Sequence, residues 1–168
     1  ENGSVQGMCE LFQMPYTGMR RLGASIAMNK WISKHLLKSV GINVLPGHHL
    51  ERLAPGEFYS VEDLKVLNLT FPVCVKPCSL GSSIGVHFAN NVEEVQSIIL
   101  HLFEQDDAVL IEPAVQSLKE FNVSVMRCSQ GVELSAIESP KIDCWLDFEQ
   151  KYCQGRGAKK SSPEGLIN

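Results

Sequence analysis

The chain has 168 residues, 44% of them apolar and 20% charged, with a formal net charge of −4. That is enough for one ordinary domain with a core, or for two small lobes. The mild acidity and the absence of a dense Lys/Arg face argue against a nucleic-acid or anionic-membrane surface. No apolar stretch reaches the roughly 18 to 20 residues that span a bilayer, and no basic-then-apolar leader opens the sequence, which points to a cytoplasmic protein.

The sequence begins at Glu1 and stops at Asn168 after the polar run GRGAKKSSPEG, so both ends read as cuts or limits of order. Between Ala24 and Val40 the apolar residues Ile26, Ala27, Trp31, Leu36, Leu37 and Val40 recur at three- to five-residue spacing, which predicts one helix closed by Gly41. Ser60 is placed to cap a second, shorter helix over VEDLKVL, 61–67. The period then changes to two: in FPVCV, Val73 and Val75 fall on one side of an extended run while Cys74 and Lys76 fall on the other. After a Gly/Ser loop, IGVHFAN at 84–90 is again strand-like. Asn91 leads into VEEVQSIILHLFEQ, whose Val92, Val95, Ile98, Ile99, Leu102 and Phe103 make a clean amphipathic helix. AVLIEPAV at 108–115 reads as a strand ending at Pro113. In FNVSVMRC at 121–128, apolar Phe121, Val123 and Val125 alternate with Asn122 and Ser124, as in a strand buried on one face. The order is α+β, without an internal repeat.

Six cysteines, at positions 9, 74, 78, 128, 144 and 153, lie mostly in apolar runs without a CxxC pair or a matching His spacing. They read as buried, reduced thiols rather than a zinc site or a disulfide framework. The five histidines share no spacing and read as surface or satisfied side chains.

The loop SLGSSIG, 79–85, is glycine-rich, which lets main-chain N–H groups approach phosphate oxygens, and its serines add donors. It lacks the internal lysine of a P-loop and returns into a strand, so it is not a Walker site. It is instead a hairpin tip able to fold over a triphosphate with Lys76 at its base, or simply a turn. Lys30 sits at the start of the first predicted helix, Glu112 ends a strand just before a proline, and Glu120 opens the next. A carboxylate at a strand end can accept hydrogen bonds from an adenine amine or ribose hydroxyls; each of these charges, taken singly, is also compatible with a solvated element end.

Six segments together resemble the D-alanyl-D-alanine ligases of the ATP-grasp superfamily, in that family's order: QGMCELFQMPYTG (6–18), ASIAMNKWISKHLLKSVGINVLP (24–46), FPVCVKPCSLGSSIGV (71–86), DDAVLIEPAV (106–115), KEFNVSV (119–125) and DFEQKY (147–152). The combination of VKP, LGSSIG and EQKY is more specific than any one piece. The resemblance implies an ATP-grasp α+β fold with mostly antiparallel sheets and flanking helices. It divides the chain into the tail of an N-terminal substrate lobe (1–28), a central lobe with the Gly/Ser flap (29–112) and the start of a C-terminal lobe with a mobile loop (113–168).

By the same resemblance, Lys30 and Lys76 are the two phosphate-contacting lysines, with lysine suited to that task as a point charge on a flexible stem. Ser82 and Ser83 cover the terminal phosphate. Glu112 with the backbone of Pro113, Ala114 and Val115 is the adenine-binding hinge, Glu120 the ribose-binding acid, and Trp145 the aromatic packed on the base. Lys151 and Tyr152 belong to a mobile loop that closes over an acyl phosphate and meets the loop serine, excluding water from a hydrolysable intermediate. The implied reaction uses ATP to phosphorylate the carboxylate of one D-alanine, whose acyl phosphate is attacked by the amine of a second, for peptidoglycan precursor synthesis. Tyr152 in QKY favours D-alanine over a hydroxy acid as second substrate. Phosphoryl transfer of this kind is mostly positioning and charge neutralisation, for which lysines and Mg2+ are the necessary parts.

The chain departs from the family in four places. The resemblance puts the acidic and Asn ligands of Mg2+ on strands beyond Asn168 and the first-subsite acid before Glu1. The Lys expected directly after the hinge Glu is Pro113, and the stretch from Glu112 to Glu120 is one residue longer than expected. Two further readings therefore stand beside the first: a truncated or non-catalytic ATP-binding module, and an ATP-grasp ligase for another carboxylate and amine. The implied partners are ATP and D-alanine; a homodimer of the full-length protein is compatible with the resemblance.

Overall fold

The computed structural model describes residues 2–139 and 166–167, which fall into two compact units divided between Ala114 and Val115. In the first unit, helices α1 (Ser4–Leu11), α2 (Arg21–Met28) and α3 (Lys30–Ser39) precede strand β1 (His48–Glu51) and helix α4 (Val61–Lys65). Strands β2 (Val73–Pro77) and β3 (His87–Ala89), helix α5 (Val92–Leu102) and strand β4 (Ala108–Pro113) complete it. The strands form one fully antiparallel sheet in the order β1-β4-β2-β3.

The single helix expected over 24–40 is two helices. Asn29 is extended at φ −89° and ψ 108°, and its side-chain carbonyl accepts from the Ile32 N–H at 3.0 Å. An asparagine whose oxygen caps the next helix competes with continuation of the preceding one, and the spacing of apolar residues does not register that contest. The far end of α3 follows expectation: Gly41, at φ +83°, donates to the Lys38 carbonyl while Ile42 donates to that of Leu37, the paired closure that a left-handed glycine permits. Ser60 caps α4 through a reciprocal pair with Asp63. Asn91 caps α5, whose buried Val95, Ile99 and Leu102 carry out the predicted amphipathic pattern.

Residues directly opposite in an antiparallel pair share a face. Val73 and Val75 of β2, Val109 and Ile111 of β4, and Leu50 of β1 turn to one face, where α4 and α5 close a core with Leu64, Val95, Ile99 and Leu102. Fully burying each such aliphatic side chain contributes about 1.5–3 kcal/mol, so this layer fixes the sheet. Cys74, Lys76, Leu110 and Glu112 are thereby left on the other face.

The strand expected over 84–90 shortens to His87–Ala89, because the chain before it makes two turns, with Ile84 donating to Gly81 and Val86 to Ser83. Ser82 and Ser83 have φ of 55° and 60°, the sign that a type I′ turn needs at both central positions. Strand β1 carries two histidines and had no signal in the alternation of the sequence.

In the second unit, β5 (Val125–Cys128) and β6 (Gly131–Leu134) form a hairpin, and β7 (Ile137–Glu138) pairs with β8 (Leu166–Ile167). The one-face-buried strand expected over 121–128 begins only at Val125, and Phe121, Val123 and Val125 are all exposed. A two-stranded ribbon has no second layer among the described residues to cover its apolar side. The predicted site positions Trp145, Lys151 and Tyr152 lie outside the described residues, as does most of the predicted mobile loop. Among the described residues Cys74 and Cys78 are buried, Cys9 and Cys128 are half-buried, and all four are free thiols. No helix among them is long and apolar enough to cross a membrane.

Candidate functional site

Helix α3 reaches the second face of the sheet through the side chains of Trp31 and Lys34. Because Asn29 starts that helix where it does, Lys30 is its first residue and Lys34 stands one turn further along the same side. Trp31 stacks on His49 of β1 at 5.0 Å between ring centroids and 7° between planes, and meets His35 edge-on at 4.1 Å. This aromatic contact clamps α3 to the sheet and gathers two histidines that the sequence left unconnected.

Three lysines then converge where β2 and β4 run side by side. Glu112, only 4% exposed, is ion-paired through Oε1 with the Lys34 ammonium and through Oε2 with that of Lys76. The Lys30 ammonium donates to the carbonyls of Pro77 and Leu80, the former at 2.8 Å, at the point where β2 passes into the glycine loop. The Lys30 main-chain N–H donates to the Cys78 carbonyl at 2.9 Å. A lone buried carboxylate would cost several kcal/mol in lost hydration, which the two ammonium groups offset. The Lys34, Lys76 and Glu112 group keeps one positive charge, and Lys30 adds another.

Burial pushes the Lys30 amine below its ordinary 10.5, and the neighbouring Lys76 charge pushes it further, while Cys78, Asp106 and Glu112 draw it back. Burial, with Asp106 next, pushes the Cys78 thiol up to about 11. Burial also raises that of Cys74. Both thiols are therefore neutral near pH 7 and unsuited to nucleophilic work.

The loop itself is anchored at both ends. Ser79 N–H donates to the Asp106 carboxylate at 2.6 Å, and Gly85, at φ +70°, lies so close to Pro77 and Leu102 that a Cβ there would meet their side-chain carbons at 3.0 and 2.9 Å. Ser82 is exposed and Ser83 half-buried between these anchors. Glu112 and Pro113 also border a cleft of about 160 Å3 shared with Gly47, His48 and Thr70. Ala114 closes the first unit, its N–H donating to the Pro72 carbonyl at 2.9 Å.

The structure thus brings together Lys30, Lys76 and Glu112, with Ser82 and Ser83 in the loop that follows. Pro113 and Ala114 end the same unit. Val115 and Glu120 belong to the second, where Ser139 donates to the main-chain carbonyl of Glu120 at 3.3 Å. Glu112 is neither the solvated end charge nor a free acceptor, since both its oxygens are held by lysines. Lys34 and Asp106 were missed. The signal for Lys34 was its position four residues after Lys30; nothing local marked Asp106.

Among the described residues no group of three or more His, Cys, Asp or Glu is placed to hold a metal ion. A dication at Glu112 would meet the Lys34 and Lys76 ammonium groups at contact range, so this donor set does not fit Mg2+.

A family model described as D-ala D-ala ligase C-terminus matches residues 36–166. The chain is 36% identical over 153 residues to a D-alanine-D-alanine ligase of Sulfurovum sp. (strain NBC37-1), covering 90% of this chain and 41% of that protein. Among solved structures, the D-alanine-D-alanine ligase of Helicobacter pylori superposes with a TM-score of 0.73 at 28% identity, covering 88% of this chain and 46% of the other. A D-alanine-D-alanine ligase of Bacillus anthracis complexed with ATP superposes with a TM-score of 0.65 at 28% identity, covering 89% and 46%. The chain spans about half the length of the curated relatives it matches, and its fold is the ATP-grasp α+β fold of these neighbours. With the family model matched over most of its length, this chain belongs to the D-alanine-D-alanine ligase family.

Proposed function

We propose that this chain holds the nucleotide in an ATP-dependent carboxylate-amine ligase that joins two D-alanines through an acyl phosphate for peptidoglycan precursor synthesis in the cytoplasm. The observation that carries the reading is the pairing of Lys34 and Lys76 with one buried carboxylate, with Lys30 bonded to the Pro77 carbonyl where the strand enters the Gly/Ser loop. This is a preorganised site of excess positive charge, of the kind that neutralises phosphate. The relative solved with ATP supports the choice of nucleotide.

In this reading ATP is the substrate that supplies the phosphoryl group activating the first D-alanine. Lys76 and Lys30 neutralise the phosphate chain; Ser82 and Ser83 lie over its end; the main chain from Glu112 through Val115 receives the adenine. Glu112 already carries one lysine on each oxygen, and the base contacts in this segment are assigned to the backbone. Glu120, Trp145, Lys151 and Tyr152 keep the ribose, base-packing and loop-closing roles that the resemblance implies. Residues 1–28, 29–112 and 113–168 are the substrate-lobe tail, the central lobe and the start of the C-terminal lobe, and the unit boundary after Ala114 supports the last division. In this reading Mg2+ would take its ligands from residues other than Glu112, whose two lysines exclude a dication.

Calorimetric titration of the chain with ATP tests nucleotide binding. D-alanine-dependent phosphate release by the protein extended to its relatives' length tests the ligation. ATP binding without D-alanine-dependent turnover would instead favour a non-catalytic ATP-binding module.

A further inference from the structure

Lys34 has no part in the roles assigned above, yet it is the more deeply placed of the two lysines on Glu112, its side chain 15% exposed against 23% for Lys76. Each lysine takes a separate carboxylate oxygen, Lys34 on Oε1 and Lys76 on Oε2. One negative charge is therefore divided between two positive ones. If Lys76 were alone with Glu112, the pair would be neutral and the carboxylate would compete with any anion for that ammonium. With Lys34 on the other oxygen, half of that competition is removed.

We propose that Lys34 is a positioning residue for the anion site: by sharing Glu112 it keeps the Lys76 ammonium available to a phosphate chain. This rests on the nucleotide reading above. Lys34 reaches the site through its partner, because its ammonium is directed at Oε1 in the buried layer between α3 and the sheet. The Trp31–His49 stack that clamps α3 sets the helix at the height where its second turn meets Glu112. The position thus links the seat of α3 to the charge of Lys76.

The test is calorimetric titration of the chain with ATP, inorganic triphosphate and adenosine, in wild type, Lys34→Met, Lys34→Arg and the double variant Lys34→Met/Glu112→Gln. Replacing Lys34 by Met should weaken ATP and triphosphate by about tenfold and leave adenosine unchanged, since only the anionic ligands sense the neutralised pair. Arginine keeps the charge on Glu112 and should restore affinity to within about threefold. Removing the carboxylate as well returns the site to one net positive charge and should recover most of the loss, which a purely structural role for Lys34 would not predict.

Unchanged ATP affinity in Lys34→Met overturns the inference alone, as does an equal loss for adenosine or a double variant no better than the single. Wild-type chain that binds neither ATP nor triphosphate overturns the nucleotide reading and the inference with it. Should Lys34→Met fail to fold, the double variant, which leaves no unpaired buried carboxylate, decides: ATP binding within about threefold of wild type supports the inference and a tenfold loss ends it.

Discussion

The Lys30 ammonium donates to the Pro77 carbonyl across 2.8 Å, tying the first residue of α3 to the end of the strand that carries Lys76. Burial and the Lys76 charge hold this amine below the ordinary 10.5. Between its lowered folded value and 10.5 the unfolded chain binds the extra proton, so stability rises with pH across that window as the penalty of a buried charge is relieved. A polyanion bound here favours the protonated amine. ATP binding just below pH 10.5 should therefore take up protons, which calorimetry in two buffers of different ionisation enthalpy would reveal. Identical binding enthalpies in both buffers would count against the placement of phosphate at Lys30.

Lys76→Ala removes the cation at the base of the loop and leaves Glu112 neutralised by Lys34 alone. Nucleotide affinity should fall by about a hundredfold or more, because the remaining pair carries no net charge. Calorimetric titration with ATP measures it, and wild-type affinity in the variant would refute the site.

Asn29→Ala deletes the side-chain oxygen that accepts from Ile32 N–H. Loss of such a cap costs about 1 kcal/mol, read as a lower urea midpoint with an unchanged slope. Since the same residue sets where α3 begins, Lys30 should also lose its register with Pro77, and ATP affinity should drop with stability. A variant with normal stability would show that the cap is not what divides α2 from α3.

Gly85 and Gly81 form an internal contrast within one loop. An alanine at Gly85 must adopt φ +70° and place Cβ 2.9 Å from Leu102, whereas at Gly81 the nearest heavy atom is Met28 Cε at 3.8 Å. Gly85→Ala should destabilise the chain by about 2 kcal/mol or more and Gly81→Ala by well under 1 kcal/mol. Equal midpoints in thermal denaturation would contradict the packing at the loop's return.

Local chemistry carries the parts of the fold that lie close along the chain. The caps at Ser60 and Asn91, the left-handed close at Gly41, the alternation that puts Lys76 opposite the core, and the helix around Ile99 are all legible because each needs only neighbours within a turn or a strand. The motifs VKP, LGSSIG and EQKY in combination likewise indicated the family, which the family model over residues 36–166 shows. The break at Asn29 was hidden because an apolar period of three to four reads the same through a capped kink as through a continuous helix.

The charge environment of the site was not accessible in this way. Glu112 looks like an ordinary strand-end acid, yet it is a buried carboxylate between two lysines that lie 78 and 36 positions away in the chain. Whether a carboxylate is solvated or shared depends on what covers it, and that follows from the sheet register and the seat of α3. Residue type and order thus singled out Lys30 and Lys76 but not Lys34; the packing of a helix on a sheet settled which partner each lysine has, because burial and pairing are properties of contacts between distant segments.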